Sequence, residues 1–241
     1  LVREEAIALA THTWTPEALG EVARTLEGQG PEAVLQWAFG QFGAEEISLA
    51  CSFGAEDVAL VDMMARLRPG ALAFYLDTNV LFPETYAVIE RIKQRYGVTL
   101  KRYLPLLTLQ EQAARYADEL WSADPDACCG IRKIEPLKRA LGDLRAWVTG
   151  IRREQSPTRT HAQVVEWDSK FGLVKVNPLA AWTEKDVWAY ILSNDVPYNP
   201  LHDQGYPSIG CVHCTRAVKA GEDPRSGRWS GFAKTECGLH K

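Results

Sequence analysis

Glu46-Ile-Ser-Leu-Ala-Cys51-Ser-Phe-Gly-Ala-Glu-Asp57 begins as an apolar run, breaks at a glycine and passes into a helical pattern that continues to Leu67. The stretch predicts a buried strand ending at Cys51, a loop over 52–57 and a helix behind it. A strand, a glycine-bearing loop and a helix together aim backbone N–H groups and the positive helix end at a phosphate. An ordinary tight turn carries the same signature, and the loop has neither Gly-Lys-Ser/Thr nor G-x-G-x-x-G. Cys51 reads as a small buried apolar residue.

Working outward, the alternation repeats. Residues 71–76 read as a second strand, ending in Asp77-Thr78-Asn79, and Phe82-Pro83-Glu84-Thr85 opens a helix to Arg95. A third strand follows over 98–104, and a helix over 108–120. Such alternation predicts an α/β protein, a parallel twisted sheet with helices on both faces. Ligands in such sheets sit beyond the C-terminal strand ends, which places the 52–57 and 77–79 loops side by side. Residues 145–150 form another strand, delivering Ile151-Arg152-Arg153-Glu154-Gln155-Ser156-Pro157-Thr158-Arg159. Its arginines suit phosphate or sulfate oxygens; a solvated surface loop is the plainer alternative. Residues 163–176 read as a hairpin turning at Asp168–Gly172, and Thr183-Glu-Lys-Asp186 caps a helix to Asn194. Before the sheet, residues 15–43 read as two amphipathic helices with Thr15-Pro16 and Gly30-Pro31 as start signals. Trp14 and Trp37 read as packing residues.

Composition sets bounds. The chain has 241 residues, 46% hydrophobic and 24% charged, ordinary values for a soluble globular protein. No apolar run reaches bilayer-spanning length, and the acidic N-terminal stretch lacks the apolar core of a secretory signal. A net charge of −4 argues against general nucleic-acid binding. The charge is uneven, however. Residues 128–160 hold eight Lys/Arg against three acids, and residues 211–241 six against three. Both basic stretches contain cysteines, which suggests an anionic ligand near a shared centre.

The six cysteines carry the most specific signal. Cys128-Cys129 and Cys211-Val-His-Cys214 make four ligand candidates, and adjacent cysteines rarely bond to each other. Four thiolates suit zinc or an iron–sulfur cluster. A tandem pair in place of a second C-x-x-C knuckle favours the cluster, and unconnected structural thiols are the third possibility. Thiols of this kind place the chain in a reducing cytoplasm. Pro136, in the helix expected to run from the tandem pair through Leu141, demands an early position or a kink. The polar tail beyond Cys214 carries Cys237, and its basic surroundings favour the thiolate, as a nucleophile needs. The histidines at 12, 161 and 202 read as structural or surface residues, and His213 is not needed as a ligand.

Ser52-Phe-Gly-Ala-Glu-Asp57, Leu76-Asp-Thr-Asn-Val-Leu-Phe-Pro-Glu-Thr85, the Cys128-Cys129 and Cys211/Cys214 pairs, Thr149-Gly-Ile-Arg-Arg-Glu-Gln-Ser-Pro-Thr-Arg159 and Glu236-Cys-Gly-Leu-His240 together resemble the assimilatory adenylyl-sulfate (APS) and phosphoadenylyl-sulfate (PAPS) reductases. Asn79 stands where that family commonly has Gly, and asparagine also tolerates positive φ. The resemblance implies an adenine-nucleotide α-hydrolase-like fold over 1–214 and a flexible catalytic tail over 215–241. It implies a 4Fe–4S cluster on Cys128, Cys129, Cys211 and Cys214, with no nicotinamide or flavin, and Cys237 as nucleophile. Substrate contacts would come from Ser52, Phe53, Gly54, Glu56, Asp77, Thr78 and Gly150. Basic contacts would come from Lys133, Arg152, Arg159, Arg225, Arg228 and His240. The four-cysteine set marks the APS-using branch, although some cluster enzymes accept both nucleotides. Thiolate attack on the sulfate sulfur would expel AMP and leave a cysteine S-sulfonate, from which thioredoxin would free sulfite. Neither a nucleic-acid nor a membrane partner is expected, and a homo-oligomer is left open. The rival readings are a nucleotide-activating sulfurtransferase, whose pyrophosphate loop is missing here, and a zinc-stabilised binding module.

Overall fold

The computed structural model describes residues 14–234 and 236–239. Thr15 opens α1 (Pro16–Leu26) by accepting the Ala18 N–H at 3.2 Å, and α2 (Pro31–Gln41) starts at its own proline. Then β1 (Ile47–Ala50) leads to α3 (Ala55–Leu67), β2 (Leu72–Leu76) to α4 (Pro83–Arg95), and β3 (Thr99–Tyr103) to α5 (Leu109–Arg115). After the short helices α6 (Leu120–Ala123) and α7 (Pro125–Cys129) come α8 (Glu135–Leu141) and β4 (Ala146–Val148). The antiparallel β5 (Val165–Asp168), β6 (Leu173–Val176) and α9 (Glu184–Ser193) follow.

The six strands lie in the order β3-β2-β1-β4-β6-β5, parallel except for β5. From β1 the chain steps outward through β2 and β3, then returns to place β4 on the opposite side of β1, with Ile47 opposite Ala146 and Leu49 opposite Val148. That reversal opens a crevice beyond the ends of β1 and β4, the usual ligand position in open α/β sheets. The inner strands β1, β4 and β6 bury residues on either side, whereas the edge strand β3 buries none. One core joins α1–α4 and α9 to the sheet; a smaller one packs Leu137 and Leu141 of α8 against Phe74 and Trp147. Trp14, Trp37 and Phe42 pack together, Trp37 edge-on to both of the others, as packing residues should. Among the described residues, no helix is long and apolar enough to cross a membrane.

Two expectations need correction. The helix expected over 108–120 has its Thr108–Glu111 capping box but stops at Arg115, where Tyr116 leaves helical geometry at φ −128°, ψ −75°. The helix expected from the cysteine pair through Leu141 is not continuous. A π-helical turn, Gly130–Ile134, lies between α7 and α8, and the Glu135 N–H reaches back five residues to the Gly130 carbonyl. This turn puts Pro136 in the first turn of α8, where its missing N–H breaks no ladder.

Candidate active site

The loop after β1 is held by one carboxylate. Asp57, in the first turn of α3, accepts the Ser52 N–H at 2.5 Å and the Ser52 hydroxyl at 2.6 Å. Asp57 is 6% exposed. Burial pushes its carboxyl up from the ordinary 3.8 to about 6, against the pull of the two Ser52 bonds. The left-handed residue of the loop is Phe53, at φ 62°, while Gly54 is extended and caps α3. That conformation costs a non-glycine residue about 1–3 kcal/mol, and the buried Phe53 ring, edge-on to Tyr75 at 5.5 Å, helps to offset it. Asn79 is also left-handed at φ 62°, a conformation asparagine tolerates.

The loop after β4 packs directly against this one. A Cβ on Gly150 would meet Asp57 Oδ1 at 2.4 Å and Glu56 Cβ at 2.9 Å, so only glycine allows the approach. Arg152 joins the loops, donating from Nε at 2.9 Å and from Nη2 at 2.8 Å to Glu56 Oε1. Arg153, which also borders the crevice, pairs through its guanidinium with Glu27 beyond α1.

The thiol wall comes from distant segments. Asp124 caps α7 through the Asp126 and Ala127 N–H groups and so presents Cys128 and Cys129 at its end. Cys211 is fixed by a β-bridge to Leu81 and lies 3.3 Å from the Thr78 hydroxyl; Cys214 closes a 3₁₀ turn back onto the Cys211 carbonyl. Burial pushes the Cys128 thiol up to about 11, and its neighbours Cys129, Cys211 and Cys214 add to the shift. Arg132 lies beneath these thiols and is 1% exposed. Its Nη1 donates to the Thr78 carbonyl at 3.0 Å, but Nε and Nη2 are buried with no hydrogen-bond partner among the described residues. Burial works against the Lys133 ammonium, yet the Cys211 and Cys237 sulfurs outweigh it and hold its pKa above the ordinary value. His213 is no part of this wall: it stacks on Trp121 at 4.0 Å.

The tail closes over both walls. Arg228 donates to the Cys214 carbonyl and to the Ser208 hydroxyl, and Trp229, in the left-handed region, is buried against the C-x-x-C turn. Lys234 pairs with Asp126, and Lys170 donates to the Gly238 carbonyl at 2.5 Å. Leu239 packs on the small core under α8. Glu236, 3% exposed, accepts from Arg159 Nε and Nη2, both at 3.0 Å, and from Arg225 Nη2 at 3.1 Å.

A single cavity of about 930 Å³ touches all three parts. Ser52, Phe53, Gly54, Glu56, Thr78 and Gly150 line it, as do Lys133, Arg152, Arg159, Arg225, Arg228 and Cys237. Asp77, expected at the substrate, does not line it. Its carboxylate is taken up by the Asn79 N–H, the Tyr86 hydroxyl and Arg102. His240 lies outside the described residues, as does His12. Sequence reasoning gave no role to Glu236, Arg132 or His202, all of them at or beside the cavity. Glu236 had one signal, a lone acid in a basic segment beside the tail cysteine. His202 had none: it lines the cavity with its Nε2 buried and unpartnered among the described residues, and burial lowers its pKa.

Comparison with known proteins gives a consistent picture. The sequence profile described as the phosphoadenosine phosphosulfate reductase domain matches residues 46–217. An adenosine 5'-phosphosulfate reductase of Lysinibacillus sphaericus is 51% identical over 216 residues, 88% of this chain and 91% of that one. A phosphoadenosine 5'-phosphosulfate reductase of Gloeobacter violaceus is 52% identical over 225 residues, 92% and 93% of the two chains. Among solved structures, a PAPS reductase of Candida auris, in a phosphate complex, superposes with a TM-score of 0.74 at 32% identity. The match covers 86% of this chain and 99% of that one. The FMN adenylyltransferase of Candida glabrata shares the fold, with a TM-score of 0.58 at 16% identity over 86% of this chain and 68% of that one.

Proposed function

This chain belongs to the phosphoadenosine phosphosulfate reductase domain family, and from that premise we propose that it reduces adenylyl sulfate to sulfite and AMP. The observation that carries the reading is the shared cavity: the β1 loop, the basic side chains of Lys133 and Arg228, and the Cys237 thiol all line it. The Ser52–Asp57 loop and the first turn of α3 would receive the nucleotide, with the sulfate directed toward Cys237.

The Cys237 thiolate attacks the sulfate sulfur. An S–S bond forms, the bond from that sulfur to the bridging oxygen breaks, and AMP leaves with the electron pair. Thiolate and sulfate are both anionic, so Lys133 and Arg228 would screen their approach and stabilise the charge on the leaving group. A dithiol partner, thioredoxin by family resemblance, then attacks the Cys237 sulfur and releases sulfite. Its second thiol resolves the mixed disulfide and restores Cys237, so the dithiol supplies both electrons. Cys51 is too buried to act as an internal resolving thiol. The tail over 215–241 would open to admit substrate and partner.

Cys128, Cys129, Cys211 and Cys214 would hold a 4Fe–4S cluster. The thiols of Cys129, Cys211 and Cys214 lie near enough to Cys128 to add to the rise in its pKa, as members of one ligand set would. The unpartnered nitrogens of Arg132 also suit the sulfurs of such a cluster. When bound, the cluster supplies electrostatic and structural support beside Lys133 rather than electrons. The proposed setting is a cytoplasmic one, in sulfate assimilation.

The test is intact mass spectrometry of anaerobically purified, iron-replete protein incubated with APS and no reductant. One added sulfonate is expected, absent in Cys237→Ser. No adduct on protein that retains its iron overturns the covalent mechanism. The Gloeobacter relative's name favours a second reading, in which PAPS is also accepted. Equal labelling by PAPS in the same experiment would establish it.

A further inference from the structure

We propose that Glu236 is a positioning residue for Cys237: its carboxylate, clasped between Arg159 and Arg225, sets where the neighbouring thiol stands in the cavity. The inference deepens the proposed function and rests on Cys237 being the nucleophile.

Arg159 and Arg225 look at first like groups reserved for the substrate, since both line the cavity. In the structure both are turned onto Glu236. Arg159 grips it as a two-pronged fork, Arg225 adds a third charged contact, and the Ser156 and Thr158 hydroxyls approach the same carboxylate at 3.3 Å. None of the three ionic side chains is more than one fifth exposed. A forked arginine–carboxylate pair fixes orientation as well as distance. Burial alone would raise the carboxyl, but Arg159 first and Arg225 after it hold it below the ordinary carboxylate value, so the clasp is ionic at neutral pH.

The clasp is one peptide link from the nucleophile. Adjacent Cα atoms are held about 3.8 Å apart, so a displacement at Glu236 passes to Cys237. A purely tethering role is not needed here. The tail is already attached through Lys234 to Asp126, the Gly238 carbonyl to Lys170, and Leu239 to the small core. Those contacts hold the tail on the domain; Glu236 ties its thiol-bearing residue to the loop that follows β4.

The reading has a signature that a structural role lacks. Glu236→Gln removes the charge and leaves two arginines facing the cavity without that carboxylate. Anionic nucleotide should then bind as well as before or more tightly, while the thiol loses its place. A misplacement of about 1 Å can slow a reaction about 100-fold. The expected result for iron-replete Glu236→Gln is therefore a fall of about that size in the single-turnover rate of Cys237 sulfonation at saturating APS. Affinity for AMP should be undiminished, and Glu236→Asp should recover part of the rate. An unchanged rate, or a loss of AMP affinity parallel to the loss of rate, overturns the proposal. Iodoacetamide labelling of Cys237 without nucleotide provides a readout that needs no turnover: it should run faster in Glu236→Gln than in wild type, and equal rates count against the clasp. If wild-type protein takes no sulfonate from APS, the nucleophile reading has failed, and the labelling comparison still decides whether Glu236 holds Cys237.

Discussion

At the β1 exit loop, the Ser52 N–H and hydroxyl both end on Asp57, Arg152 ends on Glu56, and Gly150 lets the two loops touch. At the opposite wall, Arg132 keeps two buried nitrogens without a partner among the described residues, beside Cys128, Cys129 and Cys214, whose thiols burial keeps from ionising easily. At the first wall the chain itself holds most of these groups, although Arg152 Nη1 is also buried without a hydrogen-bond partner among the described residues, 3.6 Å from Glu154 Oε1. The second is incomplete as protein, and an unpartnered buried donor costs about 1–3 kcal/mol. The difference fits the proposal that the second wall holds a resident group and the first receives a passing substrate.

The contrast can be broken most sharply at Arg132. In Arg132→Leu, iron retention under chelator challenge should fall about 10–100-fold, the usual scale for losing an outer-shell partner of a metal site. Unchanged retention would mean that the free nitrogens face nothing. Gly150→Ala strikes the other wall. Its Cβ would overlap Asp57 and Glu56, at a cost of about 1–3 kcal/mol by thermal denaturation, with weaker AMP binding and normal iron content. Loss of iron there would show that the two walls are not independent. At Asp57 the effect is a slope with pH. Its folded pKa is raised, so between pH 3.8 and about 6 the folded state holds the proton more tightly than the unfolded chain. Wild-type stability should therefore fall as pH rises through that window, by about 1.4 kcal/mol per pH unit at most. Asp57→Asn lacks this slope, so its stability deficit should narrow from pH 4 to pH 7. A gap that stays constant with pH would show that Asp57 is not raised.

The two walls also differ in how far they could be read from sequence. The strand, loop and helix around 46–67 lie in one continuous stretch, and their elements emerged close to where they were expected. What eluded reading there was conformational: the left-handed residue of the loop is Phe53, beside the glycine, and nothing in its residue type marks it for that conformation. The cysteine set was legible because tandem and C-x-x-C spacings are specific. Its supports were not, because they join segments far apart: Thr78 meets Cys211 across 133 positions, and Arg159 meets Glu236 across 77. Asp77, expected at the substrate, engages the fold's own side chains and does not line the cavity. A strand-end acid looks like a ligand-binding group until Arg102 and Tyr86 are seen to occupy it.

The π turn at Gly130–Ile134 carries a consequence for how this segment can be inherited or transplanted. An α-helix advances about 100° per residue, so one residue beyond the α-helical count changes the phase of everything downstream. Cys128, Cys129 and Lys133 are read in one phase, and Leu137, Ala140 and Leu141, which seat α8 on the sheet, in another. The odd residue joins the two registers, and Pro136 marks the seam. Moved to another scaffold with that residue trimmed away, the segment would keep its composition and its apolar stripe while turning its thiols out of step with the sheet they serve.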